Sequence, residues 1–81
     1  MYYLYILRAE GKDWHYIGST SNIEKRLIKH NVGDVTSTRP YRPLKLIYTE
    51  EFATNTEAKK REFFLKHTAK ARVELFKEIE K

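Results

Sequence analysis

Five polar side chains in this sequence could act together on one bond: Tyr5, Tyr16, Arg26, His30 and Glu62. Hydrolysis of a phosphodiester needs a group to deprotonate water, a cation to offset charge on phosphorus, and help for the leaving oxygen. An arginine and a carboxylate-held divalent ion supply the electrostatic part. A tyrosine, a histidine or a metal-polarised water supplies the proton transfer. Asn22, Arg26 and His30 follow one another at intervals of four, which lines them along one helical stripe. Each residue also has a plainer explanation. A cross-strand tyrosine pair packs, Arg26 and Glu62 are solvated among charged neighbours, and a histidine near a helix C-terminus suits the dipole. Only as a set do they point to catalysis.

The elements that must position this set can be read from the pattern. Tyr2 to Leu7 is aromatic and β-branched and apolar on both faces, which predicts a central strand. Strand periodicity puts Tyr3, Tyr5 and Leu7 on one face and Tyr2, Leu4 and Ile6 on the other. Glu10-Gly11-Lys12-Asp13 reads as a turn, and Trp14 to Gly18 returns as the second strand of a hairpin, ended by a glycine turn. Ser21-Asn22-Ile23-Glu24 matches a capping box and predicts a helix over 22–31, with Ile23 and Leu27 as its buried stripe and a break at Gly33. Residues 31–43 read as a long loop of the kind that is more often functional than idle. Its Arg39, Tyr41, Arg42 and three hydroxyls suit phosphate contact and base stacking, and suit a merely solvated loop equally well.

Leu44 to Phe52 predicts the third strand, with Leu44, Leu46 and Tyr48 alternating against Lys45, Ile47 and Thr49. Thr54-Asn55-Thr56-Glu57 offers a second capping box before a helix to Lys66 that aligns Ala58, Glu62 and Lys66. Phe63, Phe64 and Leu65 are expected to supply its apolar contacts. Thr68 then caps a last helix over 69–80 that buries Val73, Phe76 and Ile79. The expected fold is α+β (an α/β two-layer arrangement): a three-stranded, mostly antiparallel sheet flanked by helices, in the order β-β-α-β-α-α.

Composition narrows the class. Eighty-one residues predict one domain over 1–81, and 41% hydrophobic with 14% aromatic residues supply its core. Without cysteine, a disulfide, a thiolate zinc site and a cysteine nucleophile are excluded. No apolar run approaches the ~20 residues of a membrane span, and the N-terminus lacks the form of a secretory signal. A soluble cytoplasmic protein with no membrane partner is expected. The net charge of +5 invites a polyanion. It is unevenly spread: residues 21–45 hold six basic against two acidic groups, and residues 58–81 hold eight against four. Lys25, Arg26, Lys29, Arg39, Arg42 and Lys66 are the expected nucleic-acid contacts.

With the second signature standing as Tyr16-Ile17-Gly18, the whole chain resembles a GIY-YIG nuclease domain. Of the first signature, Tyr3-Leu4-Tyr5 keeps the final Tyr, as in the small stand-alone bacterial subfamily (UPF0213, excinuclease-like). Arg26 comes eight residues after Gly18, His30 four further on, and Glu62 lies in Ala58-Lys59-Lys60-Arg61-Glu62, in the family's register. Gly33, Thr38 and Pro43 also resemble the subfamily. The resemblance implies a cleft with one Mg²⁺ or Mn²⁺ held at Glu62. Tyr5 would activate or orient water with help from His30, while Tyr16 and Arg26 contact the scissile phosphate. Larger members add an Asn near the domain's C-terminal end, whereas the Asn residues here are Asn22, Asn31 and Asn55. The implied function is metal-dependent endonuclease action on DNA, single-stranded or branched, in repair or processing, with RNA not excluded, by a monomer or weak homodimer. The alternative is a non-catalytic nucleic-acid-binding module of the same fold.

Overall fold

The apolar run at the N-terminus becomes the middle of the sheet. The computed structural model describes residues 1–80 and carries β1 (Tyr2–Ala9), β2 (His15–Thr20), α1 (Ile23–Asn31), a 3-10 turn (Arg39–Tyr41), β3 (Leu44–Phe52), α2 (Asn55–His67) and α3 (Ala69–Ile79). The strand order is β2-β1-β3 with both pairings antiparallel. This is the expected α+β fold, a three-stranded sheet flanked by helices. Because β1 has a neighbour on each side and helices over each face, both of its side-chain rows are buried. Leu4 and Ile6 pack with Ile17 of β2 and Leu65 of α2, and with Leu75, Phe76 and Ile79 of α3. Tyr5, Leu7 and Ala9 pack on the opposite face with Leu44 of β3, Tyr16 of β2 and Leu27 of α1. Each fully buried Leu contributes roughly 1.5–3 kcal/mol.

Third-strand alternation breaks at one residue. Ile6 pairs with Tyr48 but Leu7 pairs with Leu46, so Ile47 is an extra residue, a β-bulge. Leu44 and Leu46 face the α1 side. Past the bulge Tyr48 turns to the other face and joins Ile47 and Phe52 against Leu4 and Ile6. The expectation that Leu44, Leu46 and Tyr48 share a face is therefore corrected, because a bulge shifts the period of 2 by one residue.

Helix starts differ in detail. The N-cap of α1 is Asn22 rather than Ser21: its backbone is extended (φ −146°, ψ 99°) and its side-chain oxygen accepts from the Lys25 N–H at 3.1 Å. The reason is that β2 runs on to Thr20, whose hydroxyl accepts from the Asn22 N–H at 3.2 Å. The α2 cap is Thr54, which accepts from the Glu57 N–H at 3.2 Å and donates its hydroxyl to the Glu57 carboxylate at 2.9 Å. Thr68 occupies the cap position of α3 but makes no side-chain cap bond. That helix is held instead by His15, which stacks on Phe76 at 4.2 Å and reaches Glu80 at 2.7 Å.

Three expected core residues lie outside. Phe63, Phe64 and Val73 are 64%, 46% and 48% exposed, whereas Leu65 is 0% exposed. At 100° per residue, a helix seated on Ala58 and Leu65 turns residues 63 and 64 outward. Residues 31–43 are a packed connection. Tyr41 stacks on Trp14 with ring centroids 3.8 Å apart, and the Asn31 side chain bonds both the N–H and C=O of Leu44. Gly33 takes φ +88°, which a β-carbon would strain. Among the described residues no helix is long and apolar enough to cross a membrane. In urea unfolding, Leu65→Ala is expected to lower stability by about 2–5 kcal/mol and Phe63→Ala by no more than about 0.5 kcal/mol. Equal losses would contradict this burial pattern.

Candidate active site

Tyr5 is the hub, and Gly18 gives it room. In the β1–β2 register Tyr5 faces Gly18, with Leu7 facing Tyr16 beside it. A β-carbon at Gly18 would lie 2.6 Å from the Tyr5 hydroxyl oxygen and 2.7 Å from its Cζ. Gly18 is therefore not the turn expected from the sequence. It lies inside β2, and what it supplies is space for a ring lying across its neighbour. Tyr16 packs beside that ring at 6.2 Å between centroids. His30 meets Tyr5 edge-on at 5.8 Å and Tyr16 at 5.0 Å.

The helix spacing brings the other two groups in. α1 lies over this face, so Arg26 and His30 one turn apart both reach the Tyr5 hydroxyl: Arg26 Nε donates to it at 3.3 Å, and His30 Nε2 lies 2.9 Å from it. Tyr5 is 2% exposed, and burial pushes its hydroxyl up to about 12, with the charge of Tyr16 and of Glu62 adding and the Arg26 hydrogen bond opposing. Arg26 is held firmly charged, first by its hydrogen bond to Tyr5. His30, 0% exposed, is pushed below its usual range by burial and by the Arg26 charge, so it is neutral at neutral pH. Being buried, His30 supports Tyr5 and does not face solvent.

Glu62 approaches from the other side of the sheet. Ser19 pairs with Leu4 and so shares the face covered by α2 and α3. Its hydroxyl donates to Glu62 Oε1 at 2.7 Å, and Lys66 Nζ donates to Oε2 at 2.7 Å. Burial raises the Glu62 carboxyl, but the bonds from Lys66 and Ser19 outweigh it and hold the group below the usual carboxylate range. Lys66 Nζ also lies 5.6 Å from the Tyr16 ring centroid. Tyr5, Tyr16, Arg26 and His30 thus form one contact cluster. Glu62 joins it around the edge strand β2, through Lys66 and through its field on Tyr5, without a hydrogen bond to any of the four among the described residues.

The sequence profile of the GIY-YIG catalytic domain matches residues 1–76. The chain belongs to the GIY-YIG family. It is similar to a UPF0213 protein of Staphylococcus saprophyticus (SSP2268), 42% identical over 66 residues, covering 80% of this chain and 79% of that one. It also resembles UPF0213 proteins of Clostridium perfringens (CPE1444), 42% identical over 82% of this chain and 71% of that one, and of Halobacterium salinarum (VNG_2274C), 32% identical over 91% and 96%. No solved structure matches the chain. GIY-YIG domains are nuclease domains that generally use divalent metal ions and act on nucleic acid, and Tyr16-Ile17-Gly18 is the second family signature in place.

The basic residues of this GIY-YIG chain divide by what already engages them. Lys25 and Lys29 are exposed on α1. Arg39 Nε donates to the Gly33 carbonyl at 2.7 Å and Arg42 Nε to the Arg39 carbonyl at 3.0 Å, so both brace the connection. Tyr41 has one ring face covered by Trp14, and Thr38 is buried against His30. Thr38 is 0% exposed, so the phosphate contact expected of that hydroxyl is corrected to packing, because the connection folds onto the sheet there. Ser19, the contact of Thr38 with His30 and the spacing role of Gly18 escaped the sequence. Only the continuation of strand alternation past Gly18 could have flagged Ser19.

Two outcomes follow. Tyr5 has a folded value of about 12 against 10 unfolded. Its stabilisation is whole below pH 10 and is lost as pH rises toward 12, on the order of 2–3 kcal/mol. Urea unfolding of wild type and Tyr5→Phe across that range should show a steeper decline in the wild type, and equal slopes would contradict it. Gly18→Ala should destabilise by about 1–3 kcal/mol, since the buried Tyr5 ring must move. An unchanged melting curve would contradict the close approach.

Proposed function

We propose that the protein is a metal-dependent endonuclease that cleaves DNA phosphodiester bonds, single-stranded or branched segments among them. The observation that carries this reading is the Tyr5 hydroxyl, held between a permanently charged Arg26 and a neutral His30, at the sheet edge where Glu62 stands. In this reading Tyr5 accepts the proton of the attacking water. Arg26, with Tyr16 beside it, offsets charge on the phosphate. His30 supports Tyr5 from behind, and Lys25 and Lys29 track the nucleic-acid backbone.

The donor set fits a hard divalent cation. Mg²⁺ is commonly held by one or two carboxylates together with waters and substrate phosphate oxygens. Among the described residues no group of three His, Cys, Asp or Glu side chains could hold a metal, and Glu62 is the carboxylate that would hold the ion here. When bound, Mg²⁺ or Mn²⁺ supplies Lewis-acid charge at the phosphate. Lys66 occupies one Glu62 oxygen and would have to swing aside.

That same contact favours a second reading, a non-catalytic nucleic-acid-binding module in which Lys66 permanently neutralises Glu62. The two separate on a panel of single-stranded, nicked and branched DNA with Mg²⁺ or Mn²⁺. The nuclease reading expects cleavage, none with Glu62→Ala, and a loss of about 10²-fold or more with Arg26→Ala. Cleavage that survives Glu62→Ala sinks the mechanism. Salt-dependent, metal-independent binding without cleavage selects the second reading. Under it, Arg26→Ala weakens binding and flattens its salt dependence, while Glu62→Ala does neither.

A further inference from the structure

Thr38 lies outside the set that spacing singled out, yet Thr38 and His30 are both 0% exposed. The Thr38 hydroxyl is 2.8 Å from His30 Nδ1 and donates to the Val35 carbonyl at 3.3 Å. His30 Nε2, the other ring nitrogen, is 2.9 Å from the Tyr5 hydroxyl. A neutral imidazole carries one N–H and one lone pair, and its neighbours decide which nitrogen has which.

Counting donors separates the two arrangements. With the proton on Nδ1, Thr38 accepts from His30 and donates to Val35, Tyr5 donates to Nε2, and the Tyr5 oxygen accepts from Arg26 Nε. Every donor then has an acceptor. With the proton on Nε2, the Tyr5 oxygen accepts from both His30 and Arg26, and its own proton has no acceptor among the described residues. Thr38 would also have to leave Val35 to donate to Nδ1. Buried hydrogen-bonding groups are paired in folded proteins, which selects the first arrangement.

We propose that Thr38 is a positioning residue that holds His30 in its Nδ1–H form, leaving Nε2 as a free acceptor aimed at the Tyr5 hydroxyl. The assignment stands on packing alone, while its use in hydrolysis rests on the nuclease reading. There, water gives its proton to the Tyr5 oxygen as the Tyr5 proton passes to His30 Nε2. Water becomes hydroxide, Tyr5 ends neutral, and His30 ends as an imidazolium still bonded to Thr38 through Nδ1–H. With Nε2 already protonated the transfer has nowhere to go. The Val35 carbonyl also accepts the Thr38 and Arg39 backbone N–H groups, at 3.2 and 3.0 Å. Removing the Thr38 hydroxyl therefore orphans His30 Nδ1–H and nothing else.

The test is ¹⁵N NMR of the labelled full chain at neutral pH. Wild type and Thr38→Ser should show a protonated, pyrrole-type Nδ1 and a pyridine-type Nε2 for His30. Thr38→Val should move the proton toward Nε2. A wild-type His30 protonated at Nε2 overturns the proposal, and so does an unchanged tautomer in Thr38→Val. Should Thr38→Val fail to fold, the wild-type spectrum still decides. If cleavage is established, Thr38→Val lowers kcat by about tenfold or more at unchanged KM and Thr38→Ser retains it, whereas an equal loss in both would also overturn it. The spectrum does not depend on Glu62, so this proposal and the nuclease reading can fail separately.

Discussion

A tyrosine hydroxyl buried on a central strand must find room, a donor and an acceptor at once, and most of this fold answers that requirement. The room is the missing side chain of Gly18 across the ladder. The donor and one ring neighbour come from α1, whose rise of one turn separates Arg26 from His30. The acceptor is the imidazole of His30, and Thr38 of the 31–43 connection closes the chain of contacts on its far side. β1, β2 and α1 therefore meet at one oxygen. An exposed tyrosine could have taken its bonds from water and would have imposed none of this order.

The sheet is also a divider of charge. Arg26 stands over one face with the aromatic rings, and Glu62 with Lys66 stands over the other. Only the two ends of the constellation meet, at the edge strand β2. An edge strand leaves one side without a ladder partner, so groups from both faces can address the same volume there. Placing the cation and the carboxylate on opposite sides keeps them from quenching each other as a direct pair. Each keeps its own local partner instead: Tyr5 for Arg26, and Ser19 and Lys66 for Glu62.

The legible part was what local chemistry encodes. Strand β1 could be read from aromatic and apolar residues on both faces. The Arg26–His30 stripe followed from helical spacing, and the α2 start from Thr54 and Glu57. What escaped depends on partners distant in the chain. The bulge at Ile47 is a matter of how β3 meets β1, and no residue of β3 announces it. Gly18 looks like a turn because the ring that needs its space is thirteen residues earlier. Thr38 looks like one hydroxyl of three in a polar loop until His30 is placed against it. Phe63 and Phe64 look like core until Ala58 and Leu65 fix which side of α2 faces inward.

The bulge has a mechanical consequence. By rotating the end of β3, it sets Glu50 on the α2 side, where Arg61 Nε bonds it at 2.9 Å and Tyr48 donates to the same carboxylate. The next residue of the helix, Glu62, is tied to Ser19 on β2. Adjacent side chains of α2 are thus anchored to the two outer strands, one on either side of β1, like a crossbar pinned at both ends. Rolling the helix about its axis would have to break both moorings together. Any repositioning of the Glu62 carboxylate is left to the torsions of its own side chain.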